Sequence, residues 1–193
     1  MNLAWVSTIS VLGNEDQFAT SFYVIAGDIS RIERMTDRPN GPQQFLFRGS
    51  QQEAVYLLAE RPAFNQKGLY WIRLFTRSDG AETALVRMRA PLENRLQDFA
   101  GIEWRDPVVL LRGKYVIHFS YRSSRGNSTS WISNWDLKDR LPQQVRIEIR
   151  DARSGQLLRP AFLQGLKIEA EASCINIQAN GCTVRSQGQL VAQ

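Results

Sequence analysis

Residues 14–36 have the sequence Asn-Glu-Asp-Gln-Phe-Ala-Thr-Ser-Phe-Tyr-Val-Ile-Ala-Gly-Asp-Ile-Ser-Arg-Ile-Glu-Arg-Met-Thr, and this stretch decides the expected fold. Five of its apolar residues recur at gaps of four and three, the spacing of one helix face. Asn14 can cap a helix N-terminus, and residues 37–42 contain two prolines and a glycine, which end helices. The stretch predicts a main helix over residues 14–36, with one face formed by Phe18, Phe22, Ile25, Ile29 and Ile32.

The segment before this helix, residues 1–13, carries three apolar residues at helical spacing. They are out of phase with the face that starts at Phe18, and Gly13 lies between the two patterns. We therefore expect residues 1–13 to form either a separate short helix or the stub of a longer one.

Beyond residue 43 the apolar period changes to two, which is typical of half-buried strands. Ser78-Asp79-Gly80 predicts a hairpin turn. In the strand after that turn, we expect Arg87 and Arg89 to point outward and Ala84, Val86 and Met88 to point inward. The expected β-sheet region spans residues 43–172, with strands over 44–48, 53–59, 68–77, 82–89, 108–111, 114–122, 144–150 and 166–172.

A single strong helix followed by strands predicts an α+β fold, in which the N-terminal helix packs on antiparallel β-sheet. The sequence contains no repeat period and no low-complexity segment that would mark a boundary. We therefore expect residues 1–193 to form a single domain, with residues 173–193 as a C-terminal tail.

The composition indicates a folded, globular protein, because 43% of the residues are hydrophobic and 22% are charged. The net charge of +5 is compatible with nucleic-acid binding. However, the arginines are scattered along strands without any run of like charge, which favours a solvated surface instead.

The two cysteines, Cys174 and Cys182, lie close together near the C-terminus with Asn180-Gly181 between them. With one histidine in the whole chain, this pair does not indicate a zinc site. The spacing suits a disulfide that closes a turn, which would place the domain in an oxidising compartment. Two unrelated thiols are the alternative.

The sequence contains no catalytic motif of a known type, and we expect no enzymatic activity. His118 is the only histidine and lies in an expected strand, where a structural role is more common than a catalytic one. Asn134, Asp136 and Asp139 offer oxygen ligands for calcium, but their spacing is not that of a calcium-binding loop. We therefore predict neither a metal nor a cofactor.

Aromatic and apolar residues suggest two kinds of contact surface. Trp104, Trp131 and Trp135 could line a binding groove, although tryptophans are also ordinary core residues. On the helix, Tyr23 and Ala26 add apolar surface beside the predicted face. A helix with such a wide apolar surface can bury one side internally and offer the other to a partner helix.

Several motifs occur in the order found in one protein family. The chain resembles the J-type minor pseudopilins of bacterial type II secretion over roughly residues 14–150. Ile25-Ala26-Gly27-Asp28-Ile29-Ser30-Arg31 is similar to the periplasmic half of that family's N-terminal helix. The other motifs are Lys114–Arg122, a Ser/Gly loop, Trp131, Trp135, Leu141-Pro142 and the alternating strand over 144–150.

The resemblance implies a pseudopilin-like fold and a non-catalytic role. Such a protein would assemble with I-type and K-type minor pseudopilins, next to the major pseudopilin, at the tip of a pseudopilus. There it would prime assembly and promote the export of folded proteins, with no cofactor and no nucleic-acid partner. Its interface candidates would be Phe18, Phe22, Tyr23, Ile25, Ala26, Ile29 and Ile32.

The same resemblance implies a periplasmic domain whose full-length form is tethered to the inner membrane by an N-terminal helix. The family's processing site and membrane segment are not found in this sequence. Two other functions stay open, namely a type IV minor pilin that handles DNA and a periplasmic β domain that binds a ligand.

Overall fold

The computed structural model describes residues 3–37, 44–60, 68–92, 101–123 and 130–166, with helix side chains from Asp16 onward. Helix α1, Leu3–Ile29, is continuous through Gly13. The predicted cap at Asn14 and the predicted end at residue 36 are therefore wrong, whereas the alternative that residues 1–13 are part of a longer helix is confirmed from Leu3 onward. A glycine in a helix interior costs only about 1 kcal/mol relative to alanine, which the neighbouring turns can offset.

The helix ends early because the chain after it pairs with a strand. The backbone N–H of Glu33 donates to the carbonyl of Leu57 over 2.9 Å, and Ile32 forms an isolated antiparallel bridge with Leu58. These sheet-like bonds compete with continued helical bonding beyond Ile29. Arg31 and Arg34 consequently follow the helix rather than occupying its last turn.

Ten strands follow the helix in the described residues. Most coincide with the predicted strands, because their alternation of apolar and polar residues is regular. Their bounds are β1 Thr36–Asp37, β2 Gln44–Phe45, β3 Phe47–Gly49, β4 Glu53–Glu60, β5 Gly68–Asp79, β6 Glu82–Pro91, β7 Arg105–Gly113, β8 Tyr115–Arg122, β9 Gln144–Asp151 and β10 Phe162–Gly165.

The strands form two main antiparallel sheets and a two-stranded ribbon of β1 and β2. The larger sheet has the order β3-β4-β5-β6-β7, and its β5–β6 hairpin turns at Gly80, whose φ of 64° confirms the predicted turn. The smaller sheet has the order β10-β9-β8. Only Lys114 separates β7 from β8, so the chain passes directly from one sheet to the other.

The main core lies between these elements and is built mostly by strands. Among the described side chains, its cluster contains 23 buried residues, of which Phe18, Ile25 and Ile29 lie on α1. Most of the others come from the inner faces of the two sheets, such as Tyr56 and Leu85 from the larger one and Phe119 and Ile147 from the smaller. Strand residues therefore supply most of this core in the described residues.

This architecture corrects the predicted fold class. The described chain is mostly β, with one helix against ten strands, and it is not the pseudopilin-like α+β fold that was expected. The prediction gave the helix too much weight because its periodicity is local and easy to see. Packing between sheets joins residues that are far apart in sequence, so no local periodicity of apolar residues predicts it.

A second apolar cluster covers the other face of the larger sheet. Trp71 and Ala90 are buried there together with Leu57, and Trp104 packs against them. Tyr70 and Ile72 of the same strand, β5, face the main core. Apolar residues therefore cover β5 on both faces.

A turn between β3 and β4 is held by a buried tyrosine. The Tyr121 hydroxyl lies 3.0 Å from the carbonyl oxygen of Ser50 and 2.7 Å from that of Glu53, and its proton serves these two acceptors. The Tyr121 ring lies against the backbone of Gly49, where an added Cβ would overlap ring carbons. The carbonyl of Gly49 accepts a bond from the backbone N–H of Trp135 over 2.9 Å, so the backbone there cannot shift freely.

We expect Gly49→Ala to lower the free energy of unfolding by about 2 kcal/mol, the usual cost of overpacking a core. Urea unfolding followed by tryptophan fluorescence measures the change. Gly165→Ala is the matched control, because a Cβ at Gly165 meets only the carbonyl oxygen of Gln143, at 3.9 Å. Equal stability of the Gly49→Ala variant and the unmodified chain would contradict this account of the turn.

Candidate functional site

Asp28 is the most unusual residue of the helix. It lies between the core residues Ile25 and Ile29 and is itself only 4% exposed. A buried carboxylate loses its hydration, which costs several kcal/mol unless a cation and hydrogen bonds replace the water. The position of Asp28 therefore depends on what the sheet presents to it.

The larger sheet presents two arginines and a glutamate. Arg87 Nε donates to Asp28 Oδ2 over 2.6 Å, and the other arm of the same guanidinium donates to Glu60. Arg89 then binds Glu60 Oε2 over 3.0 Å and Asp106 Oδ2 over 2.8 Å. These contacts form one connected charge cluster that joins the helix to β4, β6 and β7. Its members are Asp28, Glu60, Arg87, Arg89 and Asp106.

The contacts in the cluster shift the pKa values of Arg87 and Glu60. Burial opposes the charge on Arg87, but hydrogen bonds and charges from Asp28 and Glu60 outweigh burial and raise its pKa. Burial likewise tends to raise the pKa of Glu60, but hydrogen bonds from Arg87 and Arg89 bring it below its ordinary value. Burial raises the pKa of Tyr56 well above its ordinary value, so its hydroxyl stays protonated and donates to Asp28 Oδ2 over 3.4 Å.

The facing of β6 differs from the prediction. Arg87 and Arg89 were expected to point outward, but Arg87 points to the helix, on the same face as the core residue Leu85. Strand β6 has buried residues on both faces, so its alternation does not indicate which side meets the core. The missed signal was Asp28, because an acidic residue within a buried helix face requires a cation opposite it.

A second polar contact ties the helix to β7. The pairing of β6 with β7 shifts between Leu85 and Val86, which leaves Leu110 as an extra residue in β7. The buried hydroxyl of Ser21 lies 2.5 Å from the carbonyl oxygen of Leu110 and 2.6 Å from that of Gln17. The helix thus satisfies a carbonyl that the bulge takes out of the ladder.

Aromatic contacts connect the helix to the smaller sheet. Phe22 stacks on Phe162 of β10, with ring centroids 4.9 Å apart and an angle of 4° between the planes. Phe18 packs against the ring of Tyr115 at 5.7 Å, and the Arg159 guanidinium lies over Phe18. The described half of the helix is therefore held by both sheets.

These contacts sort the seven predicted interface residues into two groups. The outer group contains Tyr23, which is 82% exposed, and Ala26, which is partly buried. The inner group is committed to contacts within the chain and consists of Phe18, Phe22, Ile25, Ile29 and Ile32.

The outer face of the helix consists of small residues around one large one. Ala19 and Thr20 are exposed one turn before Tyr23, and Ala26 and Gly27 follow one turn after it. A Cβ added at Gly27 would meet only the Arg31 guanidinium, at 3.8 Å, so no packing within the described chain requires a glycine there. Small residues of this kind allow another backbone to approach closely.

The other predicted sites show no catalytic or metal-binding arrangement in the described residues. No three His, Cys, Asp or Glu side chains are grouped there as metal ligands would be. Asn134, Asp136 and Asp139 are exposed, and His118 is a partly buried residue of β8 opposite Glu148.

The predicted disulfide of Cys174 and Cys182 lies outside the described residues.

The three tryptophans do not line a common groove. Trp135 is buried in the main core, where its indole N–H donates to the carbonyl of Arg140 over 3.1 Å. Trp104 packs on the second cluster, and Trp131 lies under the Arg146 guanidinium. Packing within the core and along its rim accounts for them.

No protein-family model and no curated protein sequence matches this chain. Within the part of the chain that the structure describes, no helix combines the length and apolar character required to cross a bilayer.

The charge cluster predicts a specific acid sensitivity. The pKa of Glu60 is lowered on folding, so its stabilising effect is complete above the unfolded value of about 4.3 and disappears as the pH falls through the folded value. We expect Glu60→Gln to be less stable than the unmodified chain at pH 7, and this difference to shrink below about pH 4.

Urea unfolding at a series of pH values measures this difference. Glu103→Gln is the control, because the Glu103 side chain is 82% exposed. A stability gap for Glu60→Gln that stays constant down to pH 3, well below the ordinary Glu value of about 4.3, would contradict the cluster account.

Proposed function

We propose that this protein is a non-catalytic assembly subunit that binds partner proteins through the outer face of its helix. The observation that carries the proposal is Tyr23, whose side chain is 82% exposed on a helix whose opposite face is anchored to both sheets. An exposed tyrosine is a favourable interface residue, because it buries a large area at a low cost in conformational entropy.

The proposed partners are other helices. Ala19, Ala26 and Gly27 flank Tyr23 and leave room for a second helix to approach, with Tyr23 filling the space between the two. Because Asp28 and the charge cluster hold the helix in place, its outer face is presented without reorganisation. Preorganisation of this kind lowers the entropic cost of binding.

More specifically, we propose the role of a J-type minor pseudopilin in type II secretion. The subunit would assemble with I-type and K-type minor pseudopilins at the pseudopilus tip, prime assembly and promote the export of folded proteins. It would act in the periplasm, next to the major pseudopilin and secreted substrates, with its full-length form tethered to the inner membrane. Support comes from the motif order of the sequence and from the helix surface, and not from the fold class.

The test is a pull-down of this chain with the soluble domains of I-type and K-type minor pseudopilins from the same genome, followed by size-exclusion chromatography. We expect a stable complex that Tyr23→Arg and Ala26→Arg each weaken at least about tenfold, because a charge placed in a close helix contact must be desolvated. Titration of one partner into the other measures the dissociation constants.

Ala81→Arg is the matched control, because Ala81 is exposed in the β5–β6 turn, and the change in size and charge is the same as for Ala26→Arg. Unfolding curves show whether each variant stays folded. No association at tens of micromolar would overturn the minor-pseudopilin role. Association that survives both helix variants would overturn the proposed binding face.

A further inference from the structure

The basic residues are distributed unequally between the two sheets. In the described residues of 44–60, 68–92 and 101–113, seven arginines face six carboxylates, and the charges nearly cancel. Six of these arginines form salt bridges, as Arg73 does with Glu53 and Arg112 does with Asp79. The larger sheet therefore contributes little to the net positive charge.

The smaller sheet carries most of the positive excess. Residues 114–123 and 144–166 contain six lysines and arginines but only two carboxylates, Glu148 and Asp151. Asp151 accepts hydrogen bonds from the backbone N–H groups of Arg153 and Ser154, so its carboxylate is occupied by its own turn. Glu148 is consequently the main acidic group among these arginines.

The arginines lie on the face of the smaller sheet that points away from the core. Along β9, the apolar residues point to the core, and Arg146, Glu148 and Arg150 alternate with them. Arg146 binds Glu148 over 3.4 Å, and Arg150 binds the same carboxylate over 3.1 Å. Two guanidinium groups thus share a single carboxylate.

Neighbouring groups hold this arrangement in place. Arg146 Nε donates to the hydroxyl of Ser120 over 2.8 Å, and its guanidinium lies 4.6 Å from the Trp131 ring centroid. Arg150 also donates to the carbonyl of Gly155 over 3.1 Å. The cations are therefore oriented before any partner arrives.

Arg122, at the end of β8, is the least satisfied cation of this face. It lies opposite Gln144, and in the described part of the chain the one hydrogen bond of its side chain is to the neutral side-chain oxygen of that residue, over 3.4 Å. Its Nε is buried and has no hydrogen-bond partner. A buried donor without an acceptor costs about 1–3 kcal/mol, and no carboxylate compensates the charge of this guanidinium in the described residues.

We propose that this outer face of the β8–β9–β10 sheet, defined by Arg122, Trp131, Arg146, Glu148 and Arg150, binds an acidic segment of a partner polypeptide. The partner's carboxylates would bind Arg122, Arg146 and Arg150 in place of the shared Glu148. The argument does not depend on the proposed function of the helix, whose outer face is a separate surface.

The surroundings favour a polypeptide over a nucleic acid. Val116, Leu157 and Leu163 are exposed beside the arginines and can pack against apolar side chains of a partner. Glu148 lies at the centre of the face, where it would repel a closely spaced row of phosphates. A segment that alternates carboxylates with apolar side chains fits both features.

The experiment measures fluorescence anisotropy of a short labelled peptide of repeated Asp-Glu-Leu-Ser, titrated with the full chain at low salt. The comparison probes are the same peptide with Asn-Gln in place of Asp-Glu, and a single-stranded DNA oligonucleotide. We expect the acidic peptide to bind, and added salt to weaken it. The double variant Arg122→Gln/Arg150→Gln should raise the dissociation constant at least about tenfold, as expected for lost charged hydrogen bonds.

Two further variants separate this site from general effects of charge or unfolding. Arg77→Gln removes one positive charge from an exposed position on β5 and should leave binding unchanged, and each single variant, Arg122→Gln or Arg150→Gln, should weaken it. Glu148→Gln removes the competing carboxylate and should tighten binding severalfold, which no unfolded variant could do.

Three results would overturn the proposal. The first is equal binding of the neutral peptide, and the second is an equal loss of affinity in Arg77→Gln. The third is tighter binding of DNA through the same arginines, which would assign the face to nucleic acid instead.

Discussion

The ion pair of Asp28 and Arg87 is the interaction on which the arrangement of the helix depends. Both side chains are largely removed from water, and the pair is bonded at 2.6 Å. Such a pair adds little stability when compared with apolar residues of the same size, but removing one partner leaves a buried charge uncompensated. Its main effect is therefore on position, because the helix cannot rotate or slide without separating the two groups.

Because the Asp28–Arg87 pair fixes the position of the helix, the outer side of the helix and the outer face of the smaller sheet are two separate surfaces with different chemistry. The inner side of the helix packs into the core between the two sheets. The outer side consists of small residues and the exposed Tyr23. On the smaller sheet, the face away from the core carries the excess of arginines. The outer side of the helix thus presents small residues around Tyr23, whereas the outer face of the smaller sheet is cationic and suited to carboxylates.

Local features of the fold could be predicted from the sequence, and long-range ones could not. The alternation along β8 and β9 is regular, and Gly80 marks a tight turn, so these elements were predicted correctly. The end of the helix depends on the pairing of Ile32 with Leu58. Helical spacing and capping residues within the helix sequence do not predict that pairing. The mostly-β class depends on contacts between strand residues that are far apart in sequence.

In the candidate site, too, local features could be predicted from the sequence and long-range contacts could not. Helical spacing placed Ile25 and Ile29 on one face and Tyr23 and Ala26 beside it, but it could not show which of these apolar residues meet the sheets. The partner of Asp28 could not be found, since Arg87 lies 59 residues further along the chain. A charged residue within an apolar helix face is nevertheless a usable signal that a cation must lie opposite it.

A double-mutant cycle of Asp28→Asn and Arg87→Gln tests the central claim most directly. Urea unfolding of the two single variants, the double variant and the unmodified chain measures the coupling free energy between the two residues. The account predicts that either single change destabilises the protein strongly and that the second change adds little, with a coupling of about 2 kcal/mol or more. Additive effects, with a coupling below about 0.5 kcal/mol, would contradict the claim that this pair holds the helix in place.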